Sequence, residues 1–358
     1  MSNKSNFVLI IDGNWLLMSR LSILRMRIKD EDTLVKEVKL MMIKSINKLL
    51  RDIPQIDNVI FVADGGSGGS WRNKVEIPEF LKKDHITYKG NREKDKDLDW
   101  DKIFKGYDEF IDVLKETNIN VYREPGVEGD DWCAYWSKLF NSKGTNCIIW
   151  SADRDLTQLV KIDTKTKCFT ACWNKNYITI ESIDHTEDED MDFFFNANST
   201  IKTFNQNLLE CICMKAKKIN EINPMDIVID KIIRGDLGDN VLPIVQKKSK
   251  TTDKLFSVSQ KELDLSLDIT KLNEVTSYVE DLLNKKSWEN KATATEEQIV
   301  EHFFYNERLV WLNASQYPDE ILEKMSKYSI PDINKDLSLA EQKIQAEKND
   351  VYDVLEEI

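Results

Sequence analysis

The strongest constraint in this chain is a repeated arrangement: a continuous apolar run that stops at an aspartate. Phe7-Val8-Leu9-Ile10-Ile11 runs into Asp12, and Val59-Ile60-Phe61-Val62-Ala63 runs into Asp64. Cys147-Ile148-Ile149-Trp150 runs into Ser151-Ala152-Asp153-Arg154-Asp155. Runs without polar alternation read as strands buried on both faces, hence a parallel sheet covered by helices. Ligands of such sheets gather at the carboxyl ends of the strands. Carboxylates brought together there repel one another unless cations join them. All-oxygen ligation favours a hard ion such as Mg²⁺ or Mn²⁺.

The segments between these runs have helical apolar spacing. Residues 31–52 place Leu34, Val38, Met41, Met42 and Leu49 on one face, and residues 100–118 do the same with Trp100, Ile103, Phe104, Phe110, Ile111 and Leu114. Residues 119–122 form a further short strand. A helix over 129–143 is opened by Glu128-Gly129-Asp130-Asp131 and carries Trp132, Tyr135, Trp136, Leu139 and Phe140. Strands alternating with helices predict an α/β core over residues 1–183, a central mostly parallel sheet flanked by helices. Residues 168–173 and 177–181 are expected to form a hairpin at the sheet edge, turning at Asn174-Lys175-Asn176. Residues 184–204 are acidic, then polar with a Phe cluster, and read as an insertion or linker. From 205 to 358 the pattern is helical with no strand, and 337–358 is an amphipathic helix candidate, expected to pack on the body, with docking of a partner as the alternative.

Composition narrows the class. The chain has 358 residues, enough for one large core or two domains, and 32% of them are charged. No run reaches the roughly 18 apolar residues of a membrane span, and the first residues lack a signal-peptide apolar region. No membrane association is expected, and the expected location is the cytoplasm. Six cysteines in such a setting read as reduced thiols, with Cys133 and Cys147 in the core. Cys168 and Cys172, and Cys211 and Cys213, lack zinc-site spacing, and His185 and His302 have no ligand-like neighbours. The net charge of −13 would argue against a nucleic-acid partner if it were spread evenly, which it is not. Residues 71–96 hold eight basic residues against five acids, and 247–254 four lysines against one acid, each a local balance of +3.

Each acidic group has a bland explanation when taken alone. Glu128, Asp130 and Asp131 suit the dipole of a helix start. Asp153 and Asp155 share a face if their strand continues. Asp236 and Asp239, in Gly235-Asp236-Leu237-Gly238-Asp239-Asn240, share a face of a helical turn or sit in an ordinary glycine-rich turn. The conjunction is what matters: nine carboxylates, Asp12, Asp64, Glu128, Asp130, Asp131, Asp153, Asp155, Asp236 and Asp239, mostly at ends of core elements. Such a set suits two-metal catalysis on a phosphodiester, one ion generating the nucleophile and the other stabilising the leaving oxygen. Two divalent ions leave the site negative, so either some acids hold metal only through water or nearby cations compensate. Lys89 and Arg92 are the candidates, Arg gripping phosphate oxygens in bidentate fashion and Lys supplying a compact charge.

With these residues in place, the chain resembles the 5′ nuclease (flap endonuclease) superfamily, and most of all its bacteriophage ribonuclease H branch. The matching segments are Ile11-Asp12-Gly13-Asn14, Asp64 followed by Gly69-Ser70-Trp71-Arg72, and Tyr88-Lys89-Gly90-Asn91-Arg92. They continue with Val127-Glu128-Gly129-Asp130-Asp131, Ser151-Ala152-Asp153-Arg154-Asp155 and Gly235-Asp236-Leu237-Gly238-Asp239-Asn240. Six motifs in order span about two thirds of the chain. The resemblance implies a Mg²⁺-dependent enzyme, with Mn²⁺ as a substitute, that removes nucleotides from 5′ ends and cuts 5′ flaps. Its implied substrates are DNA with flaps or nicks and RNA–DNA hybrids, as in primer removal during phage DNA replication in the host cytoplasm. It implies a first metal site of Asp12, Asp64, Glu128, Asp130 and Asp153. A second is held or supported by Asp155, Asp236 and Asp239, with Asp131 assisting. Lys89 and Arg92 fall where the family has catalytic basic residues beneath a helical arch, here near 78–105, and Arg72 where it has a phosphate contact. Lys82, Lys83 and Lys94 are further nucleic-acid candidates. A monomer is expected, with a replication protein such as single-stranded-DNA-binding protein as a possible partner class.

One departure is plain. Where cellular members carry a glycine-rich, K⁺-assisted duplex grip, this chain reads Val241-Leu242-Pro243-Ile244-Val245-Gln246-Lys247-Lys248-Ser249-Lys250. Lys247, Lys248 and Lys250, in a duplex-binding segment near 235–255, are expected to contact the backbone instead. Three other readings compete. A haloacid-dehalogenase phosphatase needs a second Asp beside its nucleophile, and position 10 is Ile. A PIN-type ribonuclease shares the acidic site but not the Lys89–Arg92 region or the helical second half. A non-catalytic scaffold binding branched DNA would be signalled by a lost ligand, and every expected acid is present.

Overall fold

The computed structural model describes residues 7–66, 69–84, 87–92, 95–116, 119–163, 166, 168–174, 177–182, 218–248, 255–288, 291–331 and 338–348. In chain order the elements are β1 (Phe7–Asp12), α1 (Gly13–Leu24), α2 (Glu31–Asp52), β2 (Ile56–Val62), α3 (Trp100–Glu116), β3 (Asn120–Tyr122) and α4 (Gly129–Asn141). There follow β4 (Asn146–Trp150), β5 (Lys161–Asp163), β6 (Cys168–Trp173), β7 (Tyr177–Glu181), β8 (Lys218–Ile222) and α5 (Pro224–Arg234). The last are β9 (Lys247–Lys248), β10 (Leu255–Phe256), α6 (Leu272–Asn284), α7 (Glu296–Val310), α8 (Asp319–Ser326) and α9 (Ser338–Lys348). By packing, the chain divides into two units. Residues 1–68, 94–222 and 323–358 make the first, and 69–93 with 223–322 the second.

The first unit is built on an eight-stranded sheet in the order β3-β2-β1-β4-β6-β7-β8, with β5 paired to β6. β1 pairs in parallel with β2 and β4, β2 with β3, and β4 with β6. Among the described residues of this sheet, antiparallel geometry enters only where β5 and β7 meet β6. The continuous apolar runs explain the burial. All six residues of β1 are buried, because the sheet is covered on both faces. Alternate side chains serve alternate faces. Phe7, Leu9 and Ile11 join one core with α1, α2, α3 and α9, to which Ala340 and Ile344 contribute. Helix α4 packs against β1, β4 and β6. Helix α2 starts where Asp30 accepts the Thr33 N–H at 2.8 Å, and buries Leu34, Val38, Met42, Ile46 and Leu49 at three- and four-residue spacing. Met41 is only half-buried, and Phe104 is exposed, its ring tilted against that of Trp100 with centroids 5.7 Å apart.

The second unit packs α7 against α5 and α6. Asn223 caps α5, with Pro224 at its first position, and Gly235 at φ +73° ends it. Buried Asn306 of α7 donates to the carbonyls of Ile232 at 2.8 Å and Leu242 at 2.7 Å, tying the helix to α5 and the loop that follows. His302 is a core residue, buried and edge-on to Phe80, and burial pushes it down to about 4. Cys133, Cys147, Cys168 and Cys172 are buried free thiols. Among the described residues no helix is long and apolar enough to cross a membrane.

Three expectations need correction. The β6–β7 hairpin exists, with Cys172 opposite Thr179, but it is not the sheet edge: β8 adds in parallel beyond β7. Residues after 205 are not strand-free, since β8, β9 and β10 lie there. Lys-Ile-Asn-Glu-Ile of β8 is a half-buried edge strand, so it lacks the apolar run that marked the central ones. Of the arch expected over 78–105, the described residues form a 3₁₀ turn (Glu79–Asp84), irregular backbone at 87–92 and 95–99, and the start of α3. The 184–204 linker, Cys211, Cys213, His185, Lys94 and Lys250 lie outside the described residues.

Phe110 is fully buried in the first core with its ring centroid 5.8 Å from that of Phe61. Phe110→Ala should cost roughly 3–5 kcal/mol, read as a lower urea midpoint against wild type.

Candidate metal centre

The sheet order reverses at β1, whose neighbours β2 and β4 lead the chain away on opposite sides. Crevices in open α/β sheets lie at such switch points, beyond the carboxyl ends of the strands. Asp12 is level with Val62, two residues before Asp64, and Ile11 is level with Trp150, one before Ser151. Register therefore brings Asp12, Asp64 and the 151–155 segment to one edge.

Asp12 ends β1 and caps α1, accepting the Trp15 N–H at 2.9 Å. The Ser151 hydroxyl donates to its other oxygen at 2.8 Å and accepts the Asp153 N–H at 3.0 Å, linking the two acids. The Asn14 amide donates to Asp64 at 2.5 Å, and the Gly129 N–H at the start of α4 donates to its other oxygen at 2.8 Å. α4 is thus seated on Asp64 by its first N–H. A Cβ at Gly129 would lie 3.3 Å from Asp64 and 4.0 Å from Asp12, so this helix start approaches both carboxylates. Glu128 is buried and Asp130 half-buried beside it. The buried Cys133 thiol of α4 is pushed well up, by burial first and then by the charges of Asp12 and Asp130, with Asp153 contributing.

Burial, with Asp64 and Asp153 adding to it, raises the Asp12 carboxyl to about 6 despite the Trp15 and Ser151 hydrogen bonds. Local structure places three of the acids. Asp131 is fully buried and accepts the Glu128 N–H at 3.1 Å, closing a capping box, so its place is set by the helix start. Asp153 and Asp155 do not share a strand face, because β4 stops at Trp150. Asp153 is exposed and accepts the Asp155 N–H at 2.9 Å, and half-buried Asp155 opens a 3₁₀ turn to Leu159. Ser151 and Asn14 sit inside motifs that the sequence singles out, yet their roles show only in these bonds.

In the second unit, Asp236 and Asp239 occupy a tight loop after α5, not a helical turn. Asp236 pairs with Val241 across the loop, and its carboxylate accepts the Gly238 N–H at 2.9 Å. Burial alone would raise Asp236, but its ion pair with Lys231 and those N–H bonds outweigh it and hold the carboxyl below its ordinary value. Segment 87–92 is stapled to this loop. The Lys89 N–H donates to the Asp239 carbonyl at 2.7 Å, Tyr88 donates to the Asp239 carboxylate at 3.0 Å, and Asn91 donates to the Leu237 carbonyl at 2.7 Å. The Arg92 guanidinium pairs with the Asp239 carboxylate, and Lys89, at φ +58°, holds its ammonium 4.9 Å from the Tyr88 ring.

The expected nucleic-acid contacts divide. Arg72 is 2% exposed, donates to the Leu309 carbonyl at 2.8 Å and lies over the Trp71 ring at 4.6 Å. Packing therefore removes it from the surface position expected of a phosphate contact. Lys82 is exposed and paired with Glu79. Lys247 lies 4.2 Å over the Trp288 ring. Lys83 falls in the Glu79–Asp84 turn and Lys248 in β9.

A family profile described as 5′-3′ exonuclease, N-terminal resolvase-like domain, matches residues 7–190, just over half of the chain. The chain belongs to the 5′-3′ exonuclease family. No curated protein sequence matches it. Its fold is shared with solved structures of a 5′ nuclease. The T5 D15 protein co-crystallised with metal ions is 17% identical, with 90% of this chain and 97% of that one aligned at a TM-score of 0.52. T5 5′-exonuclease with bound zinc ions gives the same identity and coverage at 0.50. A bacteriophage T5 flap endonuclease complex with DNA and metal ions is 16% identical, covering 96% of this chain and 100% of that one, also at 0.50.

The raised Asp12 carboxyl sets a pH signature in metal-free protein. The folded state keeps this proton up to about 6 while an unfolded chain loses it near 3.8. Its contribution to stability is complete below pH 3.8 and is lost as pH rises through 6, in total about 3 kcal/mol. Asp12→Asn keeps a capping side chain and removes the charge. With chelator present it should raise Tm at pH 8 and leave it nearly unchanged at pH 4. Equal shifts at both values would mean that the charge is not the cost.

Proposed function

We propose that the chain is a Mg²⁺-dependent 5′-3′ exonuclease and 5′-flap endonuclease, with Mn²⁺ as a substitute ion. Its substrates are DNA with flaps or nicks and RNA–DNA hybrids, and its task is primer removal in phage DNA replication in the host cytoplasm. The observation that supports it most is the convergence of Asp12, Asp64 and Asp153 at the switch point of a 5′-3′ exonuclease fold, where burial and mutual repulsion raise Asp12 to about 6. The donor set fits a hard divalent ion: it is all carboxylate, and a cation would relieve the repulsion that Asp12 feels.

Asp12, Asp64, Glu128, Asp130 and Asp153 of the first unit would hold one ion. Asp155, with Asp236 and Asp239 of the second unit, remain the residues that the resemblance implies for another. When bound, such ions lower the pKa of a water and neutralise charge on the oxygens of an in-line displacement at phosphorus. The chain's own part is positioning. Ser151 holds Asp12 and Asp153 together, and Asn14 with the Gly129 N–H fixes both oxygens of Asp64. Lys89 and Arg92 would grip the phosphodiester, Arg92 exchanging its Asp239 partner for phosphate oxygens. The protein acts as a monomer.

Labelled duplexes with a 5′ or a 3′ single-stranded flap, incubated with Mg²⁺ or chelator, test this reading. Cutting of the 5′ form alone, near the junction and only with Mg²⁺, is expected. Binding without cutting would favour a scaffold role. Asp153 is exposed, so Asp153→Asn should change stability by less than about 0.5 kcal/mol. The same variant should lower cleavage by more than about 100-fold with flap binding retained, measured by single-turnover kinetics and fluorescence anisotropy. Unchanged turnover would remove Asp153 from the centre.

A further inference from the structure

Asp64 is held from a third direction, by helix α3. The Asn14 Oδ1 accepts two donors, the Asp64 N–H at 3.1 Å and the Tyr107 hydroxyl at 3.2 Å. Two donors on one oxygen decide which way the amide points, so the Asn14 NH₂ must face the Asp64 carboxylate, to which it donates at 2.5 Å. On the other side the Arg123 Nε donates to the Asp64 carbonyl at 2.8 Å, and its Nη1 donates to Asp108 at 2.7 Å. Tyr107 and Asp108 are neighbours on α3, so both relays start from one point of one helix. We infer that α3 sets the position of the Asp64 carboxylate through these relays, Tyr107 to Asn14 and Asp108 to Arg123. Tyr107, Asn14 and Arg123 are then positioning residues for the metal centre. The inference rests on the metal-dependent reading of that centre.

Two further observations bear on the relay. A Cβ at Gly13 would lie 2.4 Å from the Tyr107 hydroxyl and 2.5 Å from the Phe61 ring. The glycine between Asp12 and Asn14 is what lets the phenol reach the amide. Tyr107 is buried, and burial, followed by the charges of Asp64 and Asp12, holds its phenol well above the ordinary range. It is a fixed donor, which is what an orienting group must be. Partners of this kind, which hold a metal ligand without touching the metal, tune affinity through the ligand's orientation.

The test uses the intact protein, Mn²⁺ calorimetry without DNA, and amide hydrogen exchange at Asp64 and Gly129. Tyr107→Phe keeps the ring and deletes the donor. Val113→Ala loosens the buried side of the same helix away from both relays. Tyr107→Phe should weaken Mn²⁺ binding by about 10-fold and speed exchange at both amides. Val113→Ala should lower Tm with Mn²⁺ affinity intact. Unchanged affinity in Tyr107→Phe, or an equal loss in Val113→Ala, overturns the positioning role. Wild type that takes up no Mn²⁺ would refute the metal-dependent reading itself. The exchange rates would then decide the relay alone, and unchanged rates in Tyr107→Phe would overturn it.

Discussion

Like charges withdrawn from water repel, and at Asp12 that repulsion is built into the fold. The residue closes the central strand, caps the first helix and lies among Asp64 and Asp153 with 5% of its surface exposed. A buried carboxylate with two acidic neighbours is costly in isolation. The surrounding donors reduce the cost without removing it, since the Trp15 N–H and the Ser151 hydroxyl still leave the carboxyl raised to about 6. What remains is an electrostatic debt that a divalent cation would settle, which ties the stability of this edge of the sheet to the chemistry proposed for it.

The scaffold around that edge is rigid for ordinary reasons. Parallel strands buried on both faces leave little freedom in β1, β2 and β4, and each delivers its acid within three residues of its end. Helix α4 is seated against Asp64 by its first N–H, and α3 reaches the same aspartate through Asn14 and Arg123. One carboxylate is therefore referenced to three elements. The second unit has its own tight node. There segment 87–92 is bonded to the 235–240 loop, and the Arg92 guanidinium is paired with the Asp239 carboxylate.

Much of the first unit was legible in the chain. The runs ending at Asp12, Asp64 and Ser151 marked the central strands because a strand buried on both faces cannot alternate with polar residues. The 31–52 and 100–118 helices followed from three- and four-residue spacing. Strand β8 escaped notice because a half-buried edge has no such run, and Arg72 was misplaced because a motif position says nothing of burial. Ser151, Asn14 and Tyr107 had no charge to advertise them. Their part lies in hydrogen bonds to residues up to 139 positions away.

Sequence by itself determined the central strands and the long amphipathic helices, and that a carboxylate stands at or just beyond the end of each central strand, since run length, periodicity and capping are properties of contiguous residues. Only the tertiary structure decided which acids converge and what each is for. Asp131 became a helix cap, Asp153 an exposed neighbour of Asp12, and Arg72 a buried packing group. The reason is that repulsion, burial and hydrogen bonding depend on strand register and on the meeting of distant segments, and no local pattern encodes those distances.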